Sequence, residues 1–144
     1  EFVVVTDRGR LDILASLVST GAFLKQATAC IVVLYEDVKY FLEDGAAATQ
    51  NILLAATDLG LGTCWIAGDK KEYAPDTLKL LDVPPGYKLV SLVAVGWPAK
   101  SSHQHKKRKL KEVIHWERFV ERPRNKDPRV ERVLEANSKL FPPK

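Results

Sequence analysis

Asp44-Gly45-Ala46-Ala47-Ala48-Thr49-Gln50-Asn51-Ile52-Leu53-Leu54-Ala55-Ala56-Thr57-Asp58-Leu59-Gly60-Leu61-Gly62-Thr63-Cys64-Trp65-Ile66 is the stretch whose reading decides the fold. Residues 45–59 read as a helix that is apolar nearly all round, which places it centrally rather than on the surface. Asp44 is the expected N-cap. Gly60 and Gly62 end the helix, and 63–66 read as a short buried strand. Ala46, Ala47, Ala48, Ala55 and Ala56 let this helix approach a neighbour closely. The loop and strand over 60–68 leave backbone amides open to a flat ligand, and the small residues Ala67 and Gly68 permit a close approach. Glycine after a helix is routine, so Gly-x-Gly by itself points to no ligand.

Outward from that stretch, strands and helices alternate. Residues 2–5 and 29–35 are continuous apolar runs with β-branched residues, read as buried strands. Thr6 or Asp7 caps a helix that runs to about Ser19, with Leu11, Leu14, Leu17 and Val18 on one face and Gly21 as its stop. Residues 23–27 suit one helical turn. Asp69 is the expected cap of a helix over 70–81. Pro84-Pro85-Gly86 is a turn, 87–95 a buried strand, and 113–116 a last short extended segment. A helix over 129–140 follows the breaks at Pro123 and Pro128. The pattern predicts an α/β or α+β chain built on one central sheet.

Composition sets the bounds. The 144 residues are 46% hydrophobic and 28% charged, which is globular rather than disordered. No apolar run is long enough to span a membrane, and no secretory signal opens the chain. Cys30 and Cys64 cannot form a disulfide framework, and each is read as a buried free thiol suited to a reducing cytoplasm. The formal net charge of +4 is mostly local, arising from Lys106-Lys107-Arg108-Lys109-Leu110-Lys111. No aromatic is interleaved there, so nucleic acid is a weak expectation. His103 and His105 lack the Cys or carboxylate companions of a metal site, and His115 reads as structural. The chain has no methionine, and residue 1 falls within a strand already under way. The sequence is therefore expected to continue beyond its N-terminus.

Four segments in order carry a resemblance. They are the helix, loop and strand over 44–66; Leu80-Leu81-Asp82-Val83-Pro84-Pro85-Gly86-Tyr87; Leu92-Val93-Ala94-Val95-Gly96-Trp97-Pro98-Ala99; and Leu110 followed by Glu112-Val113-Ile114-His115-Trp116. Together they resemble the nitroreductase family of FMN-dependent NAD(P)H oxidoreductases. The resemblance implies a mixed central sheet flanked by helices and an intertwined homodimer, with the helix over 45–59 in the dimer core. It divides the chain into a flavin domain over 1–119 and an extension over 120–144 whose helix packs on the partner subunit. It implies FMN as cofactor, NAD(P)H as co-substrate, and a nitroaromatic, quinone or similar acceptor reached by ping-pong hydride transfer. Trp65, Ile66, Ala67 and Gly68 would then meet the flavin, with an amide of Ala67 or Gly68 as donor to N5. Lys107 and Arg108 would hold the phosphate. No side chain is assigned an acid or base role, because the chemistry belongs to the cofactor. The family's Arg-rich opening segment is absent from the sequence and is expected to precede it. The alternatives are a flavin-binding protein of this fold with another or a lost activity, and a basic module for nucleic acid or an acidic partner.

Overall fold

The structure is a computed structural model that describes residues 1–100 and 107–121. The chain divides into two compact units, Glu1–Ser102 and His103–Lys144. The helix expected over 129–140, together with His103, His105 and Lys106, lies outside the described residues.

The first unit is a four-stranded sheet with helices on both faces. Its elements run β1 (Phe2–Val5), α1 (Arg8–Leu17), a 3-10 turn (Ala22–Gln26), β2 (Ala29–Glu36), α2 (Phe41–Asp58), β3 (Gly62–Ala67), α3 (Ala74–Leu80) and β4 (Tyr87–Gly96). The strand order is β1-β2-β4-β3. The central sheet and flanking helices are those expected. Its pairings, expected to be mixed, are antiparallel throughout the described residues.

One face of the sheet carries the main core. Leu11, Leu14, Ala15 and Val18 from α1 and its end pack with Leu24, Cys30, Val32, Ile66, Leu89 and Leu92. Asp7 caps α1 as expected, its side chain accepting from the Arg10 amide at 2.9 Å. Arg8 ties the 3-10 turn to this helix by donating to the Leu24 and Ala27 carbonyls. Gly21 differs from expectation. It has no left-handed φ, and α1 has already ended at Leu17. Its need is for space, since a Cβ there would lie 2.7 Å from Val18 Cγ1.

The other face is covered by α2. The β2–β4 register slips between Val33 and Leu34, so that Val33 pairs with Ser91 and Leu34 with Leu89. Val90 is thus an extra residue, a β-bulge, and both Val90 and Ser91 meet α2. A Cβ at Gly45 would lie 2.5 Å from Val90 Cγ2. One turn later the Thr49 hydroxyl donates to the Gly45 carbonyl at 2.7 Å and pairs with the Ser91 hydroxyl at 2.7 Å. Both hydroxyls are fully buried and satisfied.

Two helix starts and one extended segment differ from expectation. α2 begins at Phe41, so Asp44 lies in its first turn instead of capping it, and accepts from the Tyr35 hydroxyl at 3.0 Å. That bond is the largest cause holding the Tyr35 hydroxyl above its usual pKa. α3 begins at Ala74 rather than near Lys70. Pro75 explains this, because proline is tolerated only in a helix's first turn. In the second unit the extended segment expected over 113–116 is not a strand, and Val113 instead closes a single helical turn, α4 (Leu110–Val113). With no strand among that unit's described residues to pair with, the backbone closes its own bond from Ile114 to Leu110.

Gly45→Ala should drive a methyl group into Val90. The expected loss is about 1–3 kcal/mol, the usual cost of overpacking, read as a lowered midpoint in thermal or urea unfolding.

Candidate functional site

The site begins where α2 ends. Gly60 adopts φ +74. Its N–H donates to the Thr57 carbonyl, and that of Leu61 to Ala56. This is a Schellman motif with glycine at C′, and it turns the chain into β3 with only Leu61 between.

Among the described residues β3 is an edge strand, paired on one side with β4. The Gly68 amide donates to the Val90 carbonyl at 3.0 Å, just beyond the Ala67–Ser91 pair. Bonded pairs alternate in an antiparallel ladder. Gly68, Ile66 and Cys64 therefore turn their backbone groups toward β4, and Ala67, Trp65 and Thr63 turn theirs to the outer edge. Of the two expected donors, Gly68 is engaged within the fold and Ala67 is open. Ile66 is buried in the core, Ala67 is exposed, and Trp65 is 40% exposed. By register, Trp65 and Ala67 lie on the α2 face with Val93 and Ser91.

Gly68 is needed for a different reason from the one expected. It carries no left-handed φ, and a Cβ there would lie 2.6 Å from Leu89 Cγ and 2.8 Å from the Val90 carbonyl carbon. Its missing side chain makes room for β4.

One residue of this site escaped the sequence reading. Tyr73, just before α3, is 7% exposed and donates its hydroxyl to the Ala67 carbonyl. Burial raises its pKa above the usual tyrosine value. Nothing in a six-residue separation across an irregular loop signals such a contact. A cavity of about 500 Å3 opens beside it, lined by Leu17, Ser19, Lys70, Lys71, Glu72, Tyr73 and Asp76.

The cysteines divide. Cys30 is buried as expected, and burial pushes its thiol up to about 12. Cys64, expected to be buried, is exposed. It lies near the start of the edge strand, beyond the cover that protects Ile66. Among the described residues, no group of three or more His, Cys, Asp or Glu side chains could hold a metal.

In the second unit, Lys107 and Arg108 are exposed and precede α4. The Arg108 guanidinium donates to the Glu112 carbonyl, a contact that folds it back on its own turn. His115 accepts from the Val120 amide at 3.0 Å and stacks on Phe119 at 4.3 Å, a local structural role.

The donor set fits the edge of a planar, acceptor-bearing ring: outward amides at Trp65 and Ala67, with only a methyl group at the second. Similarity to known proteins is found at the level of family and fold. The model of the nitroreductase family matches residues 4–97. A candidate NADH dehydrogenase/NAD(P)H nitroreductase of Archaeoglobus fulgidus is 36% identical over 104 residues, covering 67% of this chain and 60% of the relative. An FMN-dependent nitroreductase from Clostridium difficile R20291 superposes with a TM-score of 0.75 at 28% identity, covering 83% of this chain and 75% of that one. A candidate nitroreductase from Desulfovibrio desulfuricans in complex with FMN gives a TM-score of 0.69 at 30% identity, covering 83% and 73%. The chain spans 60% and 56% of the lengths of the curated relatives it matches.

Gly68→Val should therefore damage the protein without any ligand. Its ligand-free form is expected to melt well below the ligand-free parent, by several degrees for about 1–3 kcal/mol of overpacking. Equal melting of the two forms would mean that the β3–β4 contact yields easily.

Proposed function

The chain belongs to the nitroreductase family, and from that premise we propose that it works as an FMN-dependent oxidoreductase driven by NAD(P)H. The acceptor would be a nitroaromatic, a quinone or a similar small molecule, served in ping-pong order. The observation that carries this reading is the open amide of Ala67 on the outer edge of β3. The FMN named for two solved relatives supports it. When bound, FMN would supply the hydride chemistry.

The chain's own residues would bind and orient. Ala67 and Trp65 offer backbone donors, and Ile66 and Gly68 fasten that strand to β4. Lys107 and Arg108 would neutralise the phosphate, arginine with two parallel bonds. The outer side of α2 supports a homodimer. Leu42 and Leu54, with Leu59 at the C-cap, are 40%, 59% and 69% exposed, although the helix is apolar over most of its length. An obligate interface resembles a core cut in half, and such leucines suit one. No helix among the described residues is long and apolar enough to cross a membrane, and a cytoplasmic location belongs to the same proposal.

The purified full-length protein is expected to be yellow, and replacing both Lys107 and Arg108 with Ala should weaken FMN binding about tenfold to a hundredfold. That range allows for two charge-assisted contacts reduced by solvent screening. Riboflavin, which has no phosphate, should bind both forms equally. A double variant that holds FMN as tightly as the parent would remove the basic pair from the site.

Sedimentation at micromolar concentration should give a dimer. A stable folded monomer there would show that the exposed leucines of α2 serve no obligate interface.

A further inference from the structure

The outer edge of β3 offers a ligand both donors and acceptors, and the two are treated differently at Ala67. A residue in an unbonded ladder position turns its N–H and its C=O to the same side, so the Ala67 amide and carbonyl leave the sheet together. The carbonyl is taken by the Tyr73 hydroxyl. Tyr73 is held for this task. Its ring is part of the main core, which fixes the direction of its hydroxyl. The neighbouring Gly68 amide is fixed on Val90, so both sides of the Ala67–Gly68 peptide are anchored. The edge thus presents a donor at Ala67 with its companion acceptor covered.

We propose that Tyr73 is a positioning residue that makes the Ala67 edge donor-only, and so biases the site toward the oxidised form of the ring it binds. The inference rests on the FMN reading above. N5 of an oxidised isoalloxazine only accepts hydrogen bonds, whereas the reduced ring carries N5–H and donates. A bare carbonyl beside the Ala67 amide would repel the first and accept from the second. Covering it favours oxidised FMN and lowers the potential of the bound cofactor.

Tyr73→Phe on the full-length protein tests this, since the ring keeps its packing and only the hydroxyl is lost. The dissociation constants of oxidised and reduced FMN are measured alongside the midpoint potential of bound FMN and the melting temperature of the apo form. Oxidised FMN is expected to lose about tenfold in affinity relative to reduced FMN, one hydrogen bond's worth of discrimination. That corresponds to a potential roughly 30 mV more positive for a two-electron couple. A purely structural role would weaken both forms alike and leave the potential where it was, and that result overturns the proposal. A parent protein that binds no FMN overturns the functional reading itself, and the two failures are therefore distinct. If Tyr73→Phe does not fold, 3-fluorotyrosine at position 73 takes its place. Its more acidic hydroxyl donates more strongly to the Ala67 carbonyl, with a shift of the opposite sign expected. An unchanged ratio there is equally fatal.

Discussion

The close seating of α2 on the bulged strand β4 is the contact on which the rest of the first unit depends. The bulge at Val90 turns two successive residues toward one helix, and Gly45 leaves the space that Val90 fills. The Thr49–Ser91 hydroxyl pair then closes the contact with buried polar groups that have no alternative partner in water. A helix without glycine at that position would stand farther off the sheet, and the slip in register would have nothing to pack against. Because α2 passes into β3 through a tight glycine stop, its seating also sets where the edge strand lies.

The edge strand then acquires its character from ladder geometry. Pairing on one side consumes the backbone groups of Cys64, Ile66 and Gly68, and the alternation leaves those of Thr63, Trp65 and Ala67 facing outward. An unpaired edge invites aggregation unless something covers it. Here Tyr73 covers one carbonyl, and the proposed cofactor would use the amide beside it. The features that make this strand a hazard in an isolated chain are those that suit it to bind a ring edge.

Much of this was legible in the residues. The helix over 45–59, its glycine stop at Gly60 and the strand that follows were readable because each has a local cause: apolar periodicity, a left-handed position that favours glycine, and a β-branched or aromatic run. The Asp7 cap was readable for the same reason. The start of α3 was readable in principle from Pro75, and was missed because Asp69 offered a competing cap signal. Cys64 was misplaced because apolar neighbours say nothing about whether a strand is central or at an edge.

The sequence by itself determined the family resemblance, the order of the elements and the location of the proposed flavin strand, since these rest on local propensity and on motif order along the chain. It also singled out Ala67 and Gly68 as small residues beside a possible ring. Only the tertiary structure decided between them. Which amide is open depends on register against β4, and register is a relation between residues more than twenty positions apart. The same holds for Gly68, whose lost side chain makes room for Leu89 and Val90, and for Tyr73, whose partner is a carbonyl that no side-chain pattern reveals. A sequence specifies what each residue can do with its neighbours in the chain, and packing decides which backbone groups are left for a ligand.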